Sequence, residues 1–183
     1  MNSVKGKVIE KIAYWLKMAV LAIAIAFLIR GFVFIPMQVE GNSMAKTLEQ
    51  KDQIVYEKFT KIKRFDVIIF KQADGSTFIK RVIGMPGEHI RYRDDELFVN
   101  DEKVEEDFLG QAKIKRSSNQ YTTNFDTSDI LEGGIISDDA YFVLGDNRRL
   151  SKDSRSFGEV KQADVIGKGT LVYYPFKHFK IIP

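Results

Sequence analysis

Thr77-Phe78-Ile79-Lys80-Arg81-Val82-Ile83-Gly84-Met85-Pro86-Gly87 decides how this chain folds. Alternation along its first seven residues puts Phe78, Lys80 and Val82 on one face and Ile79, Arg81 and Ile83 on the other, the pattern of a β-strand. The run from Gly84 to Gly87 then ends the strand as a turn. Lys80 is the odd member, a lysine with apolar neighbours. At a sheet edge it would be an ordinary solvated residue; inside the sheet, burial would oppose its charge.

Outward from this strand, short runs of β-formers separated by turn residues continue in both directions. Candidate strands are 37–39, 53–58, 66–71, 77–83, 89–93, 96–99, 140–144 and 169–174. Residues 92–104 read as one hairpin or two, with turns at Asp94-Asp95 and Asn100-Asp101. The polar stretch 105–139, with Ser117-Ser118-Asn119-Gln120 and Gly133-Gly134, reads as a variable loop or insertion lying away from any site. The expected fold is mostly β, an antiparallel sheet or barrel-like domain over residues 36–183.

The N-terminal part is different. Residues 1–12 are polar and basic (Lys5, Lys7, Lys11), and residues 14–35 are apolar apart from Lys17 and Arg30. The uninterrupted apolar run, 18–29, is short for a bilayer, as in the core of a cleaved signal peptide. Snorkelling of Lys17 and Arg30 restores a span of 22 residues, about 33 Å as a helix. Tyr14 and Trp15 suit an interfacial belt, and no small-residue cleavage site follows the core. The reading is a retained transmembrane anchor over 13–35, ended by Pro36, with residues 1–12 cytoplasmic and the domain outside the cell membrane.

Composition narrows the chemistry. The 183 residues carry a net charge of +3 with acidic and basic residues interleaved, which argues against a nucleic-acid surface. There is no cysteine, hence no disulfide, thiol nucleophile or thiolate metal site. His89 and His178 are the only histidines, and both read as structural, which disfavours zinc and a Ser-His-Asp triad. No metal or cofactor is expected.

Two stretches remain. Val39-Glu40-Gly41-Asn42-Ser43-Met44-Ala45-Lys46-Thr47-Leu48 places Ser43 after Gly41-Asn42, turn residues that present the next side chain outward. Residues 145–158, Gly-Asp-Asn-Arg-Arg-Leu-Ser-Lys-Asp-Ser-Arg-Ser-Phe-Gly, combine paired charges and hydroxyls. They read either as a solvated loop or as a hydrogen-bonded cluster in which Asp153 pairs with Arg155 and Arg81. A serine nucleophile without a histidine can use a neutral lysine as base. Lowering a lysine from about 10.4 to about 8 costs roughly 3 kcal/mol, which desolvation or a neighbouring cation must impose.

The stretches 41–48, 64–70, 80–87 and 145–158, in this order behind the apolar segment, resemble the type I signal peptidases, most closely their short, single-anchor bacterial form. The resemblance implies a Ser/Lys-dyad peptidase, without cofactor, that removes signal peptides from exported preproteins after an Ala-x-Ala motif. It assigns Ser43 as nucleophile and Lys80 as general base. Ser151 would hydrogen-bond and orient Lys80, Asp153, Arg155 and Arg81 would form a supporting ion-pair cluster, and Gly145 would shape the wall beside the dyad. The Ser43 N–H would serve the oxyanion. Substrate would add as a strand between Met37, Val39 and Gly41 on one side and Thr77, Phe78 and Ile79 on the other. The implied partners are signal peptides and membrane lipid, with the enzyme a monomer.

The chain departs from the family pattern at four places: Lys46 for a usual proline, Phe65 for glycine, Glu88 for aspartate, and Gly41 where some members have a hydroxyl donor. Lys46 would put a cation near the site. The competing reading is a degenerate, non-catalytic member serving as a membrane-tethered binding module. A self-cleaving repressor, another Ser/Lys hydrolase, would need a DNA-binding segment, and none is found.

Overall fold

The computed structural model describes residues 2–32, 34–45, 47–110 and 120–183, and the chain divides into two units, Met1–Ile35 and Pro36–Pro183. The first unit is built on one helix, α1 (Asn2–Phe32). It takes in the polar stretch expected to precede it, and it ends four residues before Pro36. Among the described residues no helix is long and apolar enough to cross a membrane. The described side chains of α1, residues 10–26, are all exposed, and they are apolar around the helix rather than along one stripe.

The second unit is antiparallel β throughout its described strand pairs. Its strands are β1 (Phe34–Gln38), β2 (Gln53–Glu57), β3 (Val67–Lys71), β4 (Thr77–Gly84), β5 (Ile90–Arg93), β6 (Glu96–Val99), β7 (Glu102–Val104), β8 (Phe125–Asp126), β9 (Ala140–Leu144), β10 (Val160–Lys161), β11 (Val165–Tyr174) and β12 (Lys180–Ile181), with a one-turn helix α2 (Ser154–Phe157). The larger sheet runs β1-β2-β11-β3-β4-β9-β10, with β12 added to β11, and the smaller runs β7-β6-β5-β8. Pro36 therefore lies inside a strand, not at a helix end. β1 is an edge strand, where a missing backbone N–H is tolerated.

The alternation read from residues 77–83 holds. Ile79 packs with Val67, Ile69 and Leu48 on one side of the large sheet, while Val82 packs with Ile68, Phe70 and Val143 on the other. Further along the Ile79 side, Ile83 meets Phe142, Leu144, Ile90 and Leu97, so the smaller sheet is stapled to β4 and β9 by a shared core. With both faces of β3, β4 and β9 covered, these strands are buried along nearly their whole length. A lysine in such a strand is buried whichever face it takes.

The two hairpins of the smaller sheet turn at Asp94-Asp95 and Asn100-Asp101, all four at positive φ, as two-residue turns between paired strands require. The segment 105–139 does not lie apart from the rest. Its described ends fold back on the body: the Asp95 carboxylate accepts from the N–H groups of Tyr121 and Thr122, and β8 pairs with β5. Residues 111–119 of that segment lie outside the described ones, as does Lys46.

Candidate active site

Ser43 is held by a turn whose backbone begins at Gly41, φ 79°, a left-handed conformation that glycine adopts without strain. Ala45 N–H donates to the Asn42 carbonyl and Leu48 N–H to that of Met44. The buried side chains of Val39, Met44 and Leu48 root the turn in the core beside Ile79. Two further bonds tie it to the 145–158 loop: Asn147 donates its backbone N–H to the Ser43 carbonyl (3.0 Å) and its amide to the Asn42 carbonyl (3.1 Å). Among the described residues the backbone N–H of Ser43 has no partner.

Across from it, β4 delivers Lys80. Its Nζ lies 2.9 Å from Ser43 Oγ and 3.1 Å from the Ile79 carbonyl, and 4.9 Å from the centre of the Phe78 ring. Only 4% of the residue is exposed. Burial is the main influence on the amine and pulls its pKa down to about 8, while the negative charges of Asp153 and Asp146 pull it back up. A buried lysine touching a serine, with part of its population neutral near physiological pH, is the arrangement nucleophilic catalysis without histidine requires.

The charged loop folds as a cluster, but with a different pairing from the one expected. Arg81 engages Asp146, not Asp153, in a two-pronged contact, Nε–Oδ1 2.9 Å and Nη2–Oδ2 2.7 Å, with both side chains buried. The reason is register. Arg81 faces Leu144 across β4 and β9, so the residue two beyond Leu144 reaches the guanidinium first. Asp153 instead caps α2, binds Arg155 (Nε–Oδ1 and Nη2–Oδ2, both 2.8 Å) and accepts from Gly145 N–H at 3.1 Å. Because Arg81 is fully buried, Asp146→Ala removes the one side-chain carboxylate that its guanidinium meets among the described residues. Urea unfolding should then register a loss of about 3–5 kcal/mol.

Gly145 lies against the Ser43 turn: a Cβ there would lie 2.5 Å from the Ser43 carbonyl oxygen and closer still to Ser151. Ser151 Oγ is buried, and it makes no hydrogen bond among the described residues, neither to Lys80 nor to anything else. The histidines stay with carboxylates of their own, His178 with Asp52 and His89 with Asp126, each at 2.7 Å. Ser128 Oγ is also 3.3 Å from His89, but on the nitrogen that already meets Asp126, so no proton relay can run through that ring.

Beside the pair opens a cleft of about 800 Å³. It is lined by Met37, Val39 and Gly41 from the segment before Ser43, by Thr77, Phe78 and Ile79 of β4, and by Leu150 and Lys152, which were not foreseen from sequence. β3 occupies one edge of β4 from Thr77 to Arg81, and β9 joins the other only from Arg81 onward. The remaining edge of Thr77–Ile79 carries no strand among the described residues. Of the departures from the family pattern, Glu88 grips Arg64 with both oxygens and accepts from Met85 N–H, pinning the turn after β4. Phe65 sits at φ 71°, costly for a bulky residue, with its ring against Phe108 and its carbonyl accepting from Arg81.

A family model described as signal peptidase, peptidase S26, matches residues 12–174. Signal peptidase I V of Bacillus subtilis is 37% identical over 158 residues, covering 84% of this chain and 94% of that protein. Signal peptidase I of Bacillus caldolyticus is 39% identical over 162 residues, covering 86% and 89%. A crystal structure of a signal peptidase I from Enterococcus faecalis V583 is similar with a TM-score of 0.56 and 42% identity, covering 60% of this chain and 97% of that one. From the β fold, the Ser43–Lys80 contact and these matches, the chain belongs to the signal peptidase family, peptidase S26.

Proposed function

We propose that this protein removes signal peptides from exported preproteins after an Ala-x-Ala motif, with Ser43 as nucleophile and Lys80 as general base. The observation that carries the reading is the 2.9 Å contact between Lys80 Nζ and Ser43 Oγ in a buried setting. The neutral amine takes the hydroxyl proton as Oγ attacks the scissile carbonyl carbon, and the Ser43 N–H donates to the oxyanion that forms. The ammonium then protonates the departing amine, and water, activated by the same lysine, releases the acyl group. Asp146 and Asp153 favour the protonated lysine, so the base stays strong enough to accept the proton. Ser151, placed beside Gly145, orients Lys80 once substrate closes the cleft, and the Asp153–Arg155 and Arg81–Asp146 pairs fix the loop that carries it.

Substrate adds as a strand along the open edge of Thr77–Ile79, opposite Met37, Val39 and Gly41. Alternate side chains then point into the cleft floor, where only small ones fit. Residues 13–35 anchor the monomer in the cell membrane, with 1–12 cytoplasmic and 36–183 outside as the peptidase domain. Supporting this, Ile12, Trp15, Leu16, Val20, Leu21 and Ile23 are each more than half exposed on α1, a surface that lipid covers at less cost than water. A non-catalytic binding module would not need a lysine kept buried at a serine hydroxyl.

The test is cleavage of a preprotein carrying an Ala-x-Ala site by the intact chain in detergent micelles. Cutting at the single bond after the second alanine is expected. Because the base must be neutral, the rate should climb through pH about 8, with about a tenth of the plateau rate at pH 7. A folded protein that leaves the preprotein whole from pH 6 to 10 would overturn the reading.

A further inference from the structure

Arg148 lies in the loop beside the dyad, yet its guanidinium points away from the cleft, into the junction with the smaller sheet. Its Nη2 meets Glu106 Oε1 at 2.6 Å, and its Nη1 donates to Tyr92 Oη at 2.6 Å and to Thr122 Oγ1 at 3.2 Å. The Tyr92 hydroxyl donates in turn to Glu106. All four residues are buried. An ion pair in such a place adds little stability over an apolar pair of the same volume, so its presence calls for another explanation.

The remaining contacts of Arg148 supply one. Its Nε donates to the Gly145 carbonyl at 3.0 Å, and its own carbonyl accepts from Arg155 at 2.6 Å, the arginine that holds Asp153. Asp153 accepts from the Gly145 N–H. Gly145 is thus fixed through both of its polar groups, and one of the two fixings depends on how Arg148 is turned. Tyr121, beside Thr122, adds a bond from its hydroxyl to the Asp146 carbonyl.

We propose that Glu106 is a positioning residue for peptide-bond cleavage: it orients Arg148, whose bond to the Gly145 carbonyl holds the wall that sets Ser151 and the Ser43 carbonyl beside the dyad. The proposal rests on the Ser43–Lys80 reading of the site. It gives the smaller sheet a task, since β5 contributes Tyr92 and the segment after β7 contributes Glu106.

The experiment uses the intact chain in micelles with the Ala-x-Ala preprotein, and Ser43→Ala alongside. Cleavage that survives in Ser43→Ala would remove the dyad reading and this proposal with it. With that control inactive, Glu106→Gln is expected to lower kcat about tenfold or more while KM stays within about threefold. The pH midpoint of kcat should rise by about half a unit, because a loosened wall admits water to Lys80, whose other charged neighbours Asp146 and Asp153 are unchanged. Since Glu106→Gln could act by weakening the fold, Glu106→Leu with Arg148→Met replaces the pair by apolar groups that a buried site accepts. This double variant should melt near the wild type and still show the lowered kcat. A double variant with wild-type kcat and pH midpoint would overturn the proposal, as would Glu106→Gln that melts lower yet keeps both.

Discussion

Lys80→Met is expected to lose cleavage by about a thousandfold or more in kcat and, at the same time, to make the domain more stable. The first effect follows from the proposed mechanism: without the amine at 2.9 Å, nothing among the described residues is placed to take the Ser43 proton. The second follows from burial. The wild-type lysine titrates at about 8 when folded and near 10.4 when unfolded. Between these values the unfolded chain binds more protons, so wild-type stability rises with pH across that window, and below it the full penalty stands, roughly 3 kcal/mol. Methionine fills a similar volume without charge. Urea unfolding at pH 6.5 should therefore favour the variant by on the order of 3 kcal/mol, with the gap closing towards pH 10. A variant no more stable than the wild type at pH 6.5 would mean that water reaches the native lysine, and the base would then need another source of neutral amine.

Gly145→Ala is expected to cut kcat/KM about a hundredfold while the domain stays folded. The added methyl would sit 2.5 Å from the Ser43 carbonyl oxygen and nearer still to the Ser151 side chain, distances that no real Cβ keeps. The glycine itself cannot retreat, because Asp153 holds its N–H and Arg148 its carbonyl. The yielding parts are then the Ser43 turn and Ser151, and a displacement of about 1 Å at a nucleophile is felt in turnover before it is felt in stability. Wild-type turnover in the alanine variant would show that the loop is soft and would weaken the argument made for Glu106.

What was legible in the sequence was local. The period of two in residues 77–83 gave the faces of β4, and paired turn residues at 94–95 and 100–101 gave both hairpins, because their left-handed backbone depends on the residues themselves. Gly145 and the cleft-lining residues came through the resemblance, and the structure brings them to one place. What escaped depended on distance. The Arg81–Asp146 pair is a consequence of strand register, and Glu106 reaches Arg148 across 42 positions. Nothing near either residue in the chain announces its partner. Pro36 misled for a related reason: proline stops a helix, but it also suits an edge strand, and the sheet order that makes β1 an edge is set by β2 and β11.

The open edge of Thr77–Ile79 has a consequence for the conformation of the client. On the proposed reading a client must lie extended against that edge for about five residues, roughly 17 Å of chain, up to the bond that reaches Ser43. That length belongs to the end of the signal peptide, and a signal peptide that stays helical up to its cleavage site would withdraw it from the enzyme, since a helix of about five residues spans only about 7.5 Å. Cleavage thus favours clients whose helix breaks before the site. A proline or glycine placed about five residues before the bond should raise cleavage yield, and a run of alanine and leucine there should lower it.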